Sequence, residues 1–151
     1  MRLRLPAEVA SFLRRQRVAR LATANAAGRP HVVPICFVVA AATLYTVIDR
    51  KPKRVGPKAL RRARNVRENP RVAVVVDVYT EDWSQLGFVL LEGRARILER
   101  GRAHSKALTL LRRKYPQYRG MDLENRPVIA MKIQRAARWG RLAPERPRGH
   151  K

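Results

Sequence analysis

Cysteine is nearly absent from this 151-residue chain: Cys36 stands alone, which excludes an intramolecular disulfide and any multi-cysteine zinc or iron–sulfur site. Long hydrophobic runs are missing too. The longest apolar stretch, residues 35–42, has the length of a strand and is too short to cross a bilayer. No apolar segment follows the charges of the first six residues, so no signal peptide is expected. The three histidines, His31, His104 and His150, show no His-x-x-x-His spacing, and neither Gly-x-Ser-x-Gly nor a glycine-rich phosphate loop occurs. No cluster of carboxylates or histidines has metal-ligand spacing, so no metal site is expected. Acidic residues are scarce at 11, and aromatics make up 6%. The sequence announces no acid–base or nucleophilic machinery, and no catalytic residue is assigned from it.

What is abundant is positive charge. Lysine and arginine total 34, for a formal net charge of +23, a balance that attracts polyanions and says nothing of fold. Three readings fit it: a generally basic surface, a nucleic-acid-binding module, or one focused anion site. The few aromatics are not interleaved with the basic cluster as a base-stacking platform requires, which places nucleic acid behind the other two. Hydrophobic residues at 46% are enough for a core in one domain. A single domain over residues 1–140 is expected, with 141–151 a basic Pro- and Gly-containing tail, in a soluble cytoplasmic protein.

Periodicity and turn residues predict the elements. A helix over 6–16 opens on Pro6, where a missing N–H costs nothing, with Val9, Phe12 and Leu13 as its apolar stripe. Strands follow at 18–24, 31–40 and 43–49, the second carrying Pro34, which restricts it to an edge or a bulge. A basic loop leads to a helix over 58–68 that ends before Asn69-Pro70. Strands at 71–79 and 86–98, the latter bulged around Gly93, a helix over 102–115 and a strand at 128–133 complete the pattern. The order predicts an α+β chain, mainly β: a six-stranded antiparallel barrel with about three peripheral helices.

The densest run of cations surrounds the start of the second helix: Lys51, Lys53, Arg54, Lys58, Arg61 and Arg62. Guanidinium and ammonium groups beside a helix start suit a phosphate. A ligand anchored there would lie along residues 33–36 and 46–48, and a chain without acid–base machinery can take its chemistry from such a cofactor.

Several segments in the right order carry a family resemblance: Ala19-Arg-Leu-Ala-Thr23, Gly28-Arg-Pro-His-Val-Val-Pro-Ile-Cys-Phe37, Leu44-Tyr-Thr-Val-Ile-Asp49, Arg64-Asn-Val-Arg-Glu-Asn-Pro-Arg-Val-Ala-Val74, Glu92-Gly-Arg-Ala-Arg-Ile-Leu98 and Lys114-Tyr-Pro-Gln-Tyr118. Over roughly residues 6–140 the chain resembles the pyridoxamine-5′-phosphate-oxidase-like split β-barrel proteins, and most of all their actinobacterial branch that uses the deazaflavin coenzyme F420. The resemblance implies a homodimer with cofactor sites at the subunit interface and hydride transfer between reduced F420 and a small organic substrate. It implies Val33, Pro34 and Ile35 facing the ring, Thr46 and Ile48 lining it, Lys51, Lys53, Lys58 and Arg62 at the phosphate, and Trp83 covering ring or substrate. Leu60 stands where relatives often carry a further cation. FMN in place of F420, and a non-catalytic F420 carrier, are the alternatives.

Overall fold

The computed structural model describes residues 3–49 and 61–144. Helix α1 (Ala7–Arg15) buries Val9, Phe12 and Leu13, the stripe its spacing predicts. Strands β1 (Ala19–Ala24), β2 (Pro30–Ile35), β3 (Val38–Ala40) and β4 (Thr43–Val47) follow. Helix α2 (Arg61–Glu68) precedes β5 (Arg71–Val78) and β6 (Gly87–Leu98), and helix α3 (Arg102–Lys114) leads by a 3-10 turn (Pro116–Gly120) to β7 (Val128–Gly140).

All strands pair antiparallel in one sheet of order β2-β1-β5-β6-β7-β4-β3. The expected six strands are therefore corrected to seven. The predicted strand over 31–40 is two strands, interrupted at Cys36 and Phe37. The interruption has a physical cause 78 residues away in the chain: the Tyr115 hydroxyl accepts from Phe37 N (3.0 Å) and lies within donating distance of Phe37 O (3.0 Å) and Arg17 O (2.9 Å). Phe37 is fully buried, so its backbone polar groups need such a partner once they leave the ladder. Pro34 sits on β2, an edge strand of the sheet, where its missing N–H costs no ladder bond.

The two sheet faces bury separate cores. On one, Leu21, Val74, Val76, Leu91, Met131 and Ile133 pack under α1 and α2. On the other, Tyr45, Val47, Leu98 and Val128 pack against Leu108 and Leu111 of α3. Truncating a wholly buried leucine such as Leu91 to alanine costs about 2–5 kcal/mol. The β6–β7 register slips between Glu92 and Gly93, at the expected bulge. A Cβ on Gly93 would stand 2.0 Å from Lys132 O, so only glycine allows the two strands to approach. β7 runs seven residues past the predicted end at Ile133, because β6 is nearly as long and supplies the ladder that the polar sequence does not advertise.

Candidate functional site

Where β1 begins, β2 ends and α2 and the 3-10 turn converge, a cavity of about 200 Å³ opens between Val18, Pro34, Ile35, Cys36, Thr46, Val47, Asp49, Arg62 and Tyr118. Each wall has a local reason for its position. Thr46, buried on β4, donates from Oγ1 to Cys36 O at 2.7 Å, tying the strand to the backbone that bends between β2 and β3. α2 is fixed by buried Asn65, whose Nδ2 donates to Thr23 Oγ1 on β1 at 3.0 Å. That bond holds Arg62, one turn earlier on the helix, over the cavity.

Arg62 and Asp49 are the charged side chains in the described lining of this cavity. Arg62 is partly buried, and among the described residues its Nε is enclosed without a hydrogen-bond partner. Burial lowers its pKa and the Asp49 carboxylate opposes that shift; an arginine stays charged regardless. A buried, unpartnered donor costs about 1–3 kcal/mol, more when it carries charge. Tyr118 is buried, and its phenol is pushed far up by that burial, with Asp49 and Cys36 adding to the effect. It is a neutral hydroxyl at any working pH. The site thus offers a guanidinium Nε without a hydrogen-bond partner among the described residues, the Asp49 carboxylate that partly offsets its charge, a neutral phenol, a thiol, and the backbone of residues 34–36. It suits an anion attached to a flat or apolar body.

Pro34, Ile35, Thr46 and Arg62 are brought together here as expected. Val33 and Ile48 are not: both pack into the core, Ile48 almost wholly buried and Val33 partly so. Trp83, in a 3-10 turn between β5 and β6 (Trp83–Gln85), is 70% exposed and lies outside the cavity lining. Lys51, Lys53 and Lys58 fall outside the described residues. Sequence reasoning placed the ligand along the backbone through Cys36 but missed Tyr118 and Asp49 as wall residues, although both stand in segments quoted for the resemblance. A larger cavity of about 710 Å³, on the far part of β4, β6 and β7, is lined by Tyr45, Arg94, Arg96 and Lys132 among others. It contains none of the expected site residues. Among the described residues no group of three or more His, Cys, Asp or Glu side chains is placed to hold a metal.

An antiparallel sheet with helices on both faces, and a cavity against an edge strand with Arg62 and Asp49 in its wall, define the class. The profile of the pyridoxamine 5′-phosphate oxidase family matches residues 5–140. The chain belongs to that family of split β-barrels. It is 37% identical over 92 residues to a 5a,11a-dehydrotetracycline/5a,11a-dehydrooxytetracycline reductase of Streptomyces rimosus, a match covering 60% of this chain and 62% of that one. The aligned part is thus under two thirds of the reductase. Among solved structures, a FAD-binding protein of Mesorhizobium loti superposes with a TM-score of 0.63 at 25% identity, covering 90% of this chain and 95% of its own. HutZ, a haem storage protein of Vibrio cholerae, gives 0.69 at 19% identity, covering 91% and 95%, a likeness of fold.

Proposed function

We propose that the chain is an oxidoreductase that binds coenzyme F420 with its phosphate at Arg62 and its ring along Pro34, Ile35 and Thr46, and passes hydride to a small organic substrate. The observation that carries this reading is the enclosed Arg62 Nε at the start of α2, which has no hydrogen-bond partner among the described residues. A phosphate oxygen is the acceptor that donor lacks, and the residues present therefore fit the group. Lys51, Lys53 and Lys58 precede α2 in sequence and would add charge to the same anchor. The reductase from Streptomyces rimosus supports the reaction class, and the FAD-binding relative supports a flavin-type ligand. FMN, with a phosphate on the same kind of chain, is the alternative.

When bound, the deazaflavin supplies the hydride chemistry. The chain's own residues bind and orient. Arg62 holds the anion, Thr46 stays locked to Cys36 O and keeps the β4 wall in register, and Tyr118 presents a phenol that remains protonated. A cavity of about 200 Å³ is smaller than the pockets of about 300–1,000 Å³ that enclose drug-sized ligands. Part of the coenzyme therefore lies outside it, and a second copy of the chain is the expected cover. Val18 and Val32, 44% and 64% exposed beside the cavity strands, are surfaces for such a partner. The proposed assembly is a cytoplasmic homodimer.

The test is an absorbance spectrum of the protein incubated with F420, FMN or haem and then desalted. Stoichiometric retention of F420 is expected, with less FMN and no haem. Retention of FMN alone would transfer the cofactor assignment to the flavin, and retention of neither, or of haem alone, would overturn the reading.

A further inference from the structure

His31 opens β2, and three observations set it beside the anion anchor. Its cross-strand partner on β1 is Thr23. Thr23 in turn accepts from Asn65 of α2, so His31, Thr23 and Asn65 form one row from sheet to helix. Arg61 and Arg62 stand four and three residues before Asn65 and share its helix face. Among the described residues three buried side-chain polar atoms lack a hydrogen-bond partner, and two of them are His31 Nδ1 and Arg62 Nε. Two vacant polar atoms, one on β2 and one on α2, with His31 in the field of the Arg61 and Arg62 charges, point to an acceptor shared between sheet and helix.

We propose that His31 is a second ligand for the anion held at Arg62, taking up a proton as the anion arrives and donating to it. The proposal rests on the reading of Arg62 given above, and names a residue that neither the motifs nor the cavity lining singled out. The ligand class is a phosphate ester of a flavin-type coenzyme. In the free protein His31 stays neutral at pH 7: its partial burial lowers its pKa, and the charges of Arg61 and Arg62 lower it further. Among the described residues the groups facing it are those two guanidinium groups from α2 and the neutral Thr23 from β1. Glu68, the one carboxylate of α2, is engaged elsewhere, accepting from Ala26 N at 3.1 Å. A bound phosphate reverses the balance, because its negative charge favours the imidazolium. By linkage, the contribution of His31 to affinity is fully present below its free pKa and fades as pH rises through the higher pKa of the complex.

The experiment follows the histidine ring resonances of the wild-type protein through a pH titration, with and without saturating FMN. His31→Gln identifies the His31 signals. The expected result is a His31 pKa about one unit higher with FMN, and no such shift with riboflavin, which lacks the phosphate. Affinity is then compared across pH: His31→Gln should weaken FMN binding about tenfold near pH 6 and by less than about twofold near pH 8.5. Repeating the comparison with F420, a phosphate diester, tells whether the second ester bond alters the contact. An unmoved His31 pKa, or equal affinities for wild type and variant at both pH values, overturns the proposal. Arg62→Gln separates the two readings. If it abolishes binding while His31→Gln changes nothing, only the histidine assignment fails; if it too binds normally, the anchor fails with it.

Discussion

Tyr115→Phe removes one oxygen atom and should loosen both the fold and the candidate site. The hydroxyl accepts from Phe37 N, which is fully buried between β2 and β3, and it reaches two further backbone carbonyls, on Phe37 and Arg17. Loss of a net hydrogen bond costs about 0.5–1.5 kcal/mol, and a buried donor left without an acceptor costs about 1–3 kcal/mol. The sum lies near 1.5–4.5 kcal/mol, which for a domain of this size lowers the melting temperature by roughly 3–18 °C. The same tyrosine has a pH signature. Burial raises its pKa from 10.0 to about 12, with the Phe37 backbone contact partly opposing the shift. The unfolded chain therefore ionises first, and stability falls as pH rises above 10. The full shift corresponds to about 3 kcal/mol as an order of magnitude. Urea unfolding at pH 7 and at about pH 11 measures both effects. Wild type should lose more stability than the variant between the two pH values. A neutral-pH difference under about 0.5 kcal/mol, or identical alkaline losses, would refute the assignment of the β2–β3 break to this hydroxyl.

Two other expectations follow from the packing. Gly93→Ala places a methyl group against Lys132 O and should either slide the β6–β7 register or destabilise the fold by more than about 2 kcal/mol, read by urea unfolding. Lys114 donates to Leu13 O (3.1 Å) and lies over the Phe37 ring at 3.9 Å. Burial first, and Arg17 second, pull its pKa down to about 8. Between about pH 8 and 10 the native lysine is neutral while the unfolded one is still charged, so stability should climb there. Discounted for partial exposure, the rise is about 1–2 kcal/mol, and it should vanish in Lys114→Met.

Most elements were legible because their signals are local. The α1 stripe of Val9, Phe12 and Leu13 buries as its spacing requires, and the β-branched run 72–76 is a strand. The break at Phe37 was not legible. The surrounding sequence is continuously apolar, and what interrupts it is a hydroxyl contributed by the end of α3. The extension of β7 was hidden for the opposite reason: Gln134-Arg-Ala-Ala-Arg138 has no strand pattern, and only pairing with β6 holds it extended. In the candidate site, the resemblance marked Pro34, Ile35, Thr46 and Arg62 in segments that converge. Ile48, marked by the resemblance, follows the end of β4 at Val47 and packs into the core. Tyr118 was missed because its role depends on how the turn after α3 folds back over β4.

The central claim is that Arg62 anchors a phosphate, and calorimetric titration of FMN against riboflavin isolates it. The two ligands differ by the phosphate, so the ratio of their affinities measures that group alone. Wild type should favour FMN by roughly tenfold to a hundredfold, as expected of a charge-assisted contact, and Arg62→Gln should reduce the ratio to within about threefold of unity. An undiminished ratio in a folded Arg62→Gln protein would contradict the account.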